Sequence, residues 1–177
     1  MKISYISNSS CPSQLPNSLQ IVKTCEYLSK YSNQVFLILP NTPSYNLKIS
    51  NFYNIKYKFD VIRLLRFKKL PLGLDYYLFS FLSFLKAKRI SELIITRNYF
   101  VIFLCVLFKK KCIMELHNAI TNESRIVRFI FSFFNILSSR SISKIICISH
   151  GVKKKYVKDF NLQNKKNIVV LPSGSSL

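Results

Sequence analysis

The stretch KCIMELHNAI, residues 111–120, carries three polar side chains at the end of a short apolar run: Glu115, His117 and Asn118. The chain has only two histidines and seven acids, so their grouping here stands out. A carboxylate, an imidazole and an amide at one strand end can hydrogen-bond a hydroxyl-rich ligand, and the imidazole can move a proton. The same residues also suit a structural role. A strand-end histidine can serve as a plain hydrogen-bonder, and Glu115 can sit in a salt bridge with a nearby Arg or Lys.

Polar groups follow other apolar runs in the same way. Asn8, Ser9 and Ser10 follow the first, and a loop leads from them to Asn17. Arg97 and Asn98 follow LIIT, Ser149, His150 and Gly151 follow IICI, and Pro172, Ser173 and Gly174 follow IVVL. Gly151 and Gly174 also suit ordinary turns. Asn17 and Ser18 suit a helix cap as well as a ligand contact.

The elements that must position these groups alternate in type. Strand-like runs span 2–7, 34–40, 61–65, 92–97, 111–116, 144–149 and 167–172. Helical patterns span 18–31, 74–88, 98–110, 122–140 and 150–160. Asn17 or Ser18 is placed to cap the first helix, Asn98 the third and Thr121 the fourth. Residues 41–60 show little periodicity and read as loop with at most a short strand. Serial βαβ units predict an α/β fold, a Rossmann-like doubly wound, mostly parallel sheet with helices on both faces, in a single domain over 1–177. In such sheets ligands bind beyond the carboxyl ends of the strands, where these polar groups fall.

Composition sets the limits. Lys and Arg number 27 against seven acids, a formal charge of +20. That charge suits nucleic acid, an anionic membrane or a polyanionic substrate. The abundance of Lys, Asn, Ile and Phe also fits the codon bias of an AT-rich genome. The five cysteines form no C-x-x-C pair and read as buried reduced thiols, which suits a cytoplasm. MKISYIS reads as a strand rather than a signal peptide. No apolar run reaches the ~18 residues of a membrane span.

Nucleotide-cradling glycine motifs, metal-ligand spacings, a G-x-S-x-G elbow and RNP-like aromatic patterns are absent from the sequence. No metal or bound cofactor is therefore expected.

The helical segments 74–88, 98–110 and 122–140 are more apolar than packing on a sheet requires. Within 122–140, Arg125, Arg128, Ser132, Asn135 and Ser139 form one narrow polar stripe. Arg63, Arg66, Lys68, Lys69, Lys86, Lys88 and Arg89 lie nearby in sequence. An anionic membrane surface, a second domain and a partner subunit all fit the surplus apolar surface.

Taken in order, ISNSSCPSQLPNSLQIVKTCEYLSK, IITRN, IMELHN, KIICISHGVKKKY and NIVVLPSGSSL resemble the N-terminal domain of GT-B glycosyltransferases of family 4. The sharpest pieces are the stretch with Asn17, Ser18, Gln20, Lys23, Cys25 and Glu26, and Glu115-Leu116-His117. The resemblance implies two Rossmann-like domains across a cleft, the N-terminal one holding the acceptor and the other a nucleotide-sugar co-substrate. It implies His117 as the catalytic residue facing the transferred sugar. Asn17, Ser18, Gln20, Arg97, Asn118 and Ser149 become substrate-binding, and Glu115, Gly151 and Gly174 structural. It further implies cytoplasmic transfer of a hexose-like sugar, with retention and without a metal, to a lipid-linked or cell-envelope acceptor, the enzyme sitting peripherally on the inner face of the membrane.

Two departures stand out. The loop after the first strand, SSCPSQLPN, lacks the glycines many relatives carry, and PSGSSL stands where P-N-G-V-D is usual. The donor-binding domain is expected to be absent. The chain is then a fragment, a truncated frame or half of a split enzyme that docks a separately encoded C-terminal half, and inactive alone. The alternative expectation is a non-catalytic basic module for nucleic acid or an anionic membrane.

Overall fold

A computed structural model describes residues 1–32, 34–41, 48–65, 73–117, 125–160 and 167–171. Seven strands form one sheet: β1 (Lys2–Ile6), β2 (Gln34–Pro40), β3 (Asp60–Leu64), β4 (Leu93–Thr96), β5 (Cys112–Leu116), β6 (Ile142–Cys147) and β7 (Ile168–Val170). Their order is β3-β2-β1-β4-β5-β6-β7, and the sheet is parallel, the Rossmann-like α/β arrangement expected from the alternating pattern. Two compact units divide the chain, Met1–Ile94 and Ile95–Leu177.

In the first unit, Ile3 pairs with Val35 and Phe36 with Asp60, so β1, β2 and β3 run in parallel register. The ladder continues past the strands, with Ser7 N donating to Ile38 O at 3.1 Å and Asn41 N to Leu64 O at 2.8 Å. All three strands therefore end at one level.

Helix α1 (Pro16–Tyr31) starts two or three residues earlier than the Asn17 or Ser18 cap predicts. Leu15 occupies the cap position, and Pro16 opens the helix because its fixed φ fits a first helical residue. A short helix α2 (Ile49–Phe52) lies inside the segment read as loop.

Helix α3 (Leu74–Ile90) follows Gly73, whose φ of +70° favours glycine. It buries Phe79, Phe84 and Ala87 and exposes Leu74, Tyr77 and Phe81. Its buried serines bond within the helix, Ser80 Oγ to Tyr76 O at 2.6 Å and Ser83 Oγ to Ser80 O at 2.9 Å. That internal bonding removes the cost of burying a hydroxyl.

In the second unit, Met114 pairs with Ile145 and Ile145 with Ile168, so β5, β6 and β7 are parallel. Ile148 N donates to Leu116 O at 3.2 Å and Leu171 N to Cys147 O at 2.9 Å, which again brings the strand exits level. Helix α4 (Tyr99–Leu107) is capped by Asn98, whose side chain accepts from the amides of Phe100 and Val101, as expected. It ends before Lys109, which sits at φ +52°.

Helix α5 (Arg125–Phe133) is shorter than the predicted 122–140 span. Asn135 takes a left-handed φ of +44°, which stops the helix, and a single 3-10 turn covers Ile136–Ser138. Apolar content alone concealed this break, because the residues beyond it, Ile136 and Leu137, are buried in their own right. Residues 122–124 and the proposed Thr121 cap lie outside the described residues. Helix α6 (His150–Asp159) closes the unit, its Tyr156 fully buried.

Candidate functional site

In the second unit the exits of β4, β5 and β6 carry Arg97, His117 and Ser149. Thr96 ends β4, and its Oγ1 accepts from Asn98 N at 3.0 Å. That turn leaves Arg97 between a strand and a capped helix. Arg97 Nε donates to Glu115 Oε2 at 2.8 Å, with side-chain exposures of 20% and 10%. A charge-assisted bond this short, largely out of water, is among the stronger polar contacts available to a protein.

His117 leaves β5 two residues later, and its Nε2 stands 3.8 Å from the same Glu115 oxygen. That is too long for a hydrogen bond, and the contact becomes an ion pair only when the ring is protonated. The carboxylate thus holds Arg97 firmly and His117 loosely. The imidazole side chain is one-quarter exposed. An imidazole nitrogen that a ligand reaches can donate to or accept from its hydroxyl.

Ser149 follows β6, the strand beside the one that leads to His117. Its side chain accepts from Val152 N at 3.2 Å and caps α6. Gly151 is the second residue of α6 and not a turn residue: a Cβ there would meet only Ser149 Oγ, at an ordinary 3.8 Å. Asn118 and Gly174 lie outside the described residues. Behind the rim, the Tyr99 and Tyr156 hydroxyls meet at 3.1 Å and tie the start of α4 to α6.

The first unit holds its rim differently. Ser9 receives Asn17 Nδ2 at 2.8 Å, and Asn17 is otherwise exposed at the second position of α1. Ser18 is buried at 1% exposure. Its Oγ lies 2.8 Å from both Ser13 O and Leu15 O. Tyr53, reaching in from just after α2, places its hydroxyl 2.6 Å from Ser13 O and 2.9 Å from Ser18 Oγ, and accepts from Ser13 N at 2.8 Å. Ser18 therefore shapes the β1–α1 loop from within. Gln20 is half-buried on α1.

Arg63, grouped by sequence with the basic residues beside the apolar helices, sits instead on β3 and donates from Nη2 to Cys11 O at 2.8 Å. Burial pushes the Cys11 thiol up to about 11, against the pull of Arg63 and of hydrogen bonds from Tyr53 and Ser18. The thiol stays protonated near neutrality and is no nucleophile.

Glu26 completes the clamp from the next turns of α1. Burial favours its protonated form. Bonds from Lys23 Nζ at 2.8 Å and from the Lys56 amide at 2.5 Å outweigh that and hold the carboxyl below its ordinary range. Tyr53 and Arg63 were not foreseen as site-shaping residues. The aperiodic 41–60 segment hid the first, and the assumption of a surface charge hid the second.

The five cysteines are free and buried. Among the described residues no group of His, Cys, Asp and Glu could hold a metal ion, and no helix is long and apolar enough to cross a membrane.

No protein-family model and no curated protein matches the sequence. Solved structures do. Anabaena Alr3699/HepE, in complex with UDP and glucose, superposes with a TM-score of 0.64 at 12% identity over 99% of this chain and 45% of its own. The lipopolysaccharide outer core galactosyltransferase WaaB, in its apo form, gives 0.56 at 12% identity over 97% of this chain and 45% of its own. Arabidopsis thaliana UGT89C1, complexed with UDP-L-rhamnose, gives 0.54 at 14% identity, covering 99% and 52%. This chain shares the Rossmann-like α/β fold of a domain in each of these structures. The chain spans about half the length of these structures. At such identities the likeness establishes the fold, and activity is a separate question.

Proposed function

We propose that this chain is the acceptor-side, N-terminal half of a family 4-type glycosyltransferase that moves a hexose-like sugar from a nucleotide-sugar to a hydroxyl on a lipid-linked or cell-envelope acceptor. The observation that carries the reading is the likeness over nearly the whole chain to a fold solved with UDP and glucose bound. The Arg97–Glu115–His117 cluster at the strand exits supports it, because that edge is where open α/β sheets bind ligands.

In this reading His117 hydrogen-bonds the transferred sugar, with Glu115 behind it. Arg97, Asn17, Gln20, Asn118 and Ser149 are assigned substrate-binding roles, and Ser18 fixes the β1–α1 loop that leads into Asn17. The nucleotide-sugar belongs to a second domain, and no metal takes part. The enzyme works on the cytoplasmic side, peripherally at an anionic membrane. The 177 residues alone turn nothing over, because the nucleotide-sugar is held by that second domain.

Ligand-observed NMR with methyl glucoside and methyl galactoside tests the acceptor-side reading. Weak saturation transfer that disappears in His117→Ala supports it. Identical signals from wild type and His117→Ala, or sugar transfer by the isolated chain from UDP-glucose, overturns it.

The charge of +20 favours a second reading, a non-catalytic basic binding module. A salt series separates the two. Binding to duplex DNA falls log-linearly with salt because counterions are released, whereas sugar binding at a neutral-polar rim hardly moves.

A further inference from the structure

The second unit carries an exposed aromatic face that its own packing leaves uncovered. On α5, Arg125, Phe129 and Phe133 recur every four residues and so share one side of the helix. Phe129 is 65% exposed, Phe133 70% and the following Phe134 56%. The Phe129 and Phe133 rings stack at 5.6 Å, and Phe133 meets Phe134 edge-on at 5.1 Å.

The patch continues onto α4. Phe134 contacts Phe103 at 5.7 Å, and one turn further on Leu107 and Phe108 are 59% and 45% exposed. Lys109, Lys110 and Lys111 follow directly, and Lys109 and Lys111 are exposed. The last turn of α4 holds this lysine run in place through Lys109 N to Val106 O at 3.2 Å and Lys110 N to Cys105 O at 2.8 Å.

Scattered apolar residues are normal on a protein surface, but a contiguous aromatic patch marks an interaction site. The charge around it selects the partner. Arg125 is exposed at one end of the patch and the lysine run lies at the other. The only acids between residues 95 and 177 are Glu115, Glu123 and Asp159, and Glu115 is committed to Arg97. Aromatic side chains bordered by cations fit the headgroup region of a bilayer, where rings enter the acyl boundary and cations stay with anionic headgroups.

We infer that the α4–α5 face, through Phe129, Phe133, Phe134, Leu107 and Lys109–Lys111, docks this chain in plane on an anionic lipid surface. The inference deepens the peripheral-membrane part of the proposed function and rests on that part alone.

Co-sedimentation of the full 177-residue chain with vesicles tests it, with no sugar donor present, so that its failure and that of sugar transfer stay distinguishable. Vesicles of phosphatidylcholine alone are compared with vesicles containing phosphatidylglycerol. The chain should bind the anionic vesicles and leave the neutral ones. Phe129→Ser with Phe133→Ser should weaken binding by about tenfold or more, since two exposed rings lose their apolar seat.

Lys109→Glu with Lys111→Glu should weaken binding by more than about 25-fold, each lost cation counting about fivefold. The control is Lys154→Glu with Lys155→Glu, the same charge change on exposed residues of α6; it should cost clearly less. Circular dichroism confirms folding of each variant, and all the substituted side chains are exposed.

Equal losses in both lysine pairs would mean bulk charge alone and would overturn the inference. So would wild-type binding by the phenylalanine variant, or no vesicle binding together with a concentration-dependent dimer that the phenylalanine variant abolishes.

Discussion

The two units treat their strand exits in opposite ways. In the first, polar groups turn inward: the Ser13, Ser18 and Tyr53 hydroxyls satisfy one another and the loop backbone, Arg63 binds the Cys11 carbonyl, and further along α1 Glu26 binds the Lys56 amide ahead of β3. In the second, Thr96 and Asn98 are buried in the turn that opens α4, but the side chains beside them are held less completely. Glu115, 10% exposed, fixes Arg97 and leaves His117 3.8 Å away, and Ser149 is exposed. The first set determines the path of a loop, and the second leaves His117 loosely held. Substitutions in the first should therefore be read in stability, and those in the second in binding.

The largest expected effect is at Tyr53, only 8% exposed. Tyr53→Phe keeps the ring and removes the hydroxyl that serves Ser13 and Ser18, leaving those groups without that partner. The cost should be about 1–3 kcal/mol, read as a melting-temperature loss of about 2–4 °C per kcal/mol at this size. Tyr53→Ala adds a cavity and should cost about 3–5 kcal/mol. A wild-type melt for Tyr53→Ala would break the claim that this residue clamps the loop.

Glu26 comes next and carries a pH signature. Its folded carboxyl titrates below its ordinary value of 4.5, so the unfolded chain binds the proton more readily. The stabilisation is fully present above that ordinary value and is lost as pH falls through the lower folded value. Denaturant melts from pH 7 to pH 3 should show wild type losing more stability than Glu26→Gln over the acid range. At pH 7 the substitution should cost about 1–2 kcal/mol, because Gln keeps an acceptor for the Lys56 amide but loses the charge facing Lys23.

The caps sharpen the comparison at smaller scale. Asn98 is buried and receives two amides at 3.0 and 3.1 Å, whereas Ser149 is exposed and receives one at 3.2 Å. Asn98→Ala should cost about 1–2 kcal/mol and Ser149→Ala about 0.5–1 kcal/mol, measured in urea. A larger loss at Ser149 would give that side chain a structural weight the geometry does not show.

How much of this was legible in the sequence follows from the range of the forces involved. Apolar runs marked all seven strands to within two residues; the inner strands are apolar because both their faces are covered, whereas the edge strand β3, DVIRL, has no buried residue and was marked only by its three aliphatic positions. Asn98 was legible as a cap because the amides it serves are its own neighbours. The Tyr53–Ser18 and Arg63–Cys11 bonds join residues 35 and 52 positions apart, and no local pattern encodes them. Asn135 ended α5 through backbone conformation, which hydrophobic periodicity does not register. At the candidate site, Glu115 and His117 were legible because polar groups interrupt an apolar run. Which of the two would be held tightly depended on Arg97 from another strand.

His117 is where the two regions separate most sharply. Its single described polar contact is the 3.8 Å approach to Glu115, and its side chain is one-quarter exposed. Replacing it with alanine breaks no hydrogen bond and removes a ring that is three-quarters buried, so the stability change should stay within about 1 kcal/mol. If the imidazole edge meets a sugar hydroxyl, the same substitution should abolish binding of methyl glucoside or methyl galactoside while the melt stays put. Glu115→Gln supplies the converse. It removes the charge facing Arg97, so it should lower stability by more than His117→Ala does and weaken sugar binding only through the position of the ring. A His117→Ala chain that melts several degrees low and still binds sugar would show that the ring props up β5, and the contrast between the two rims would not survive.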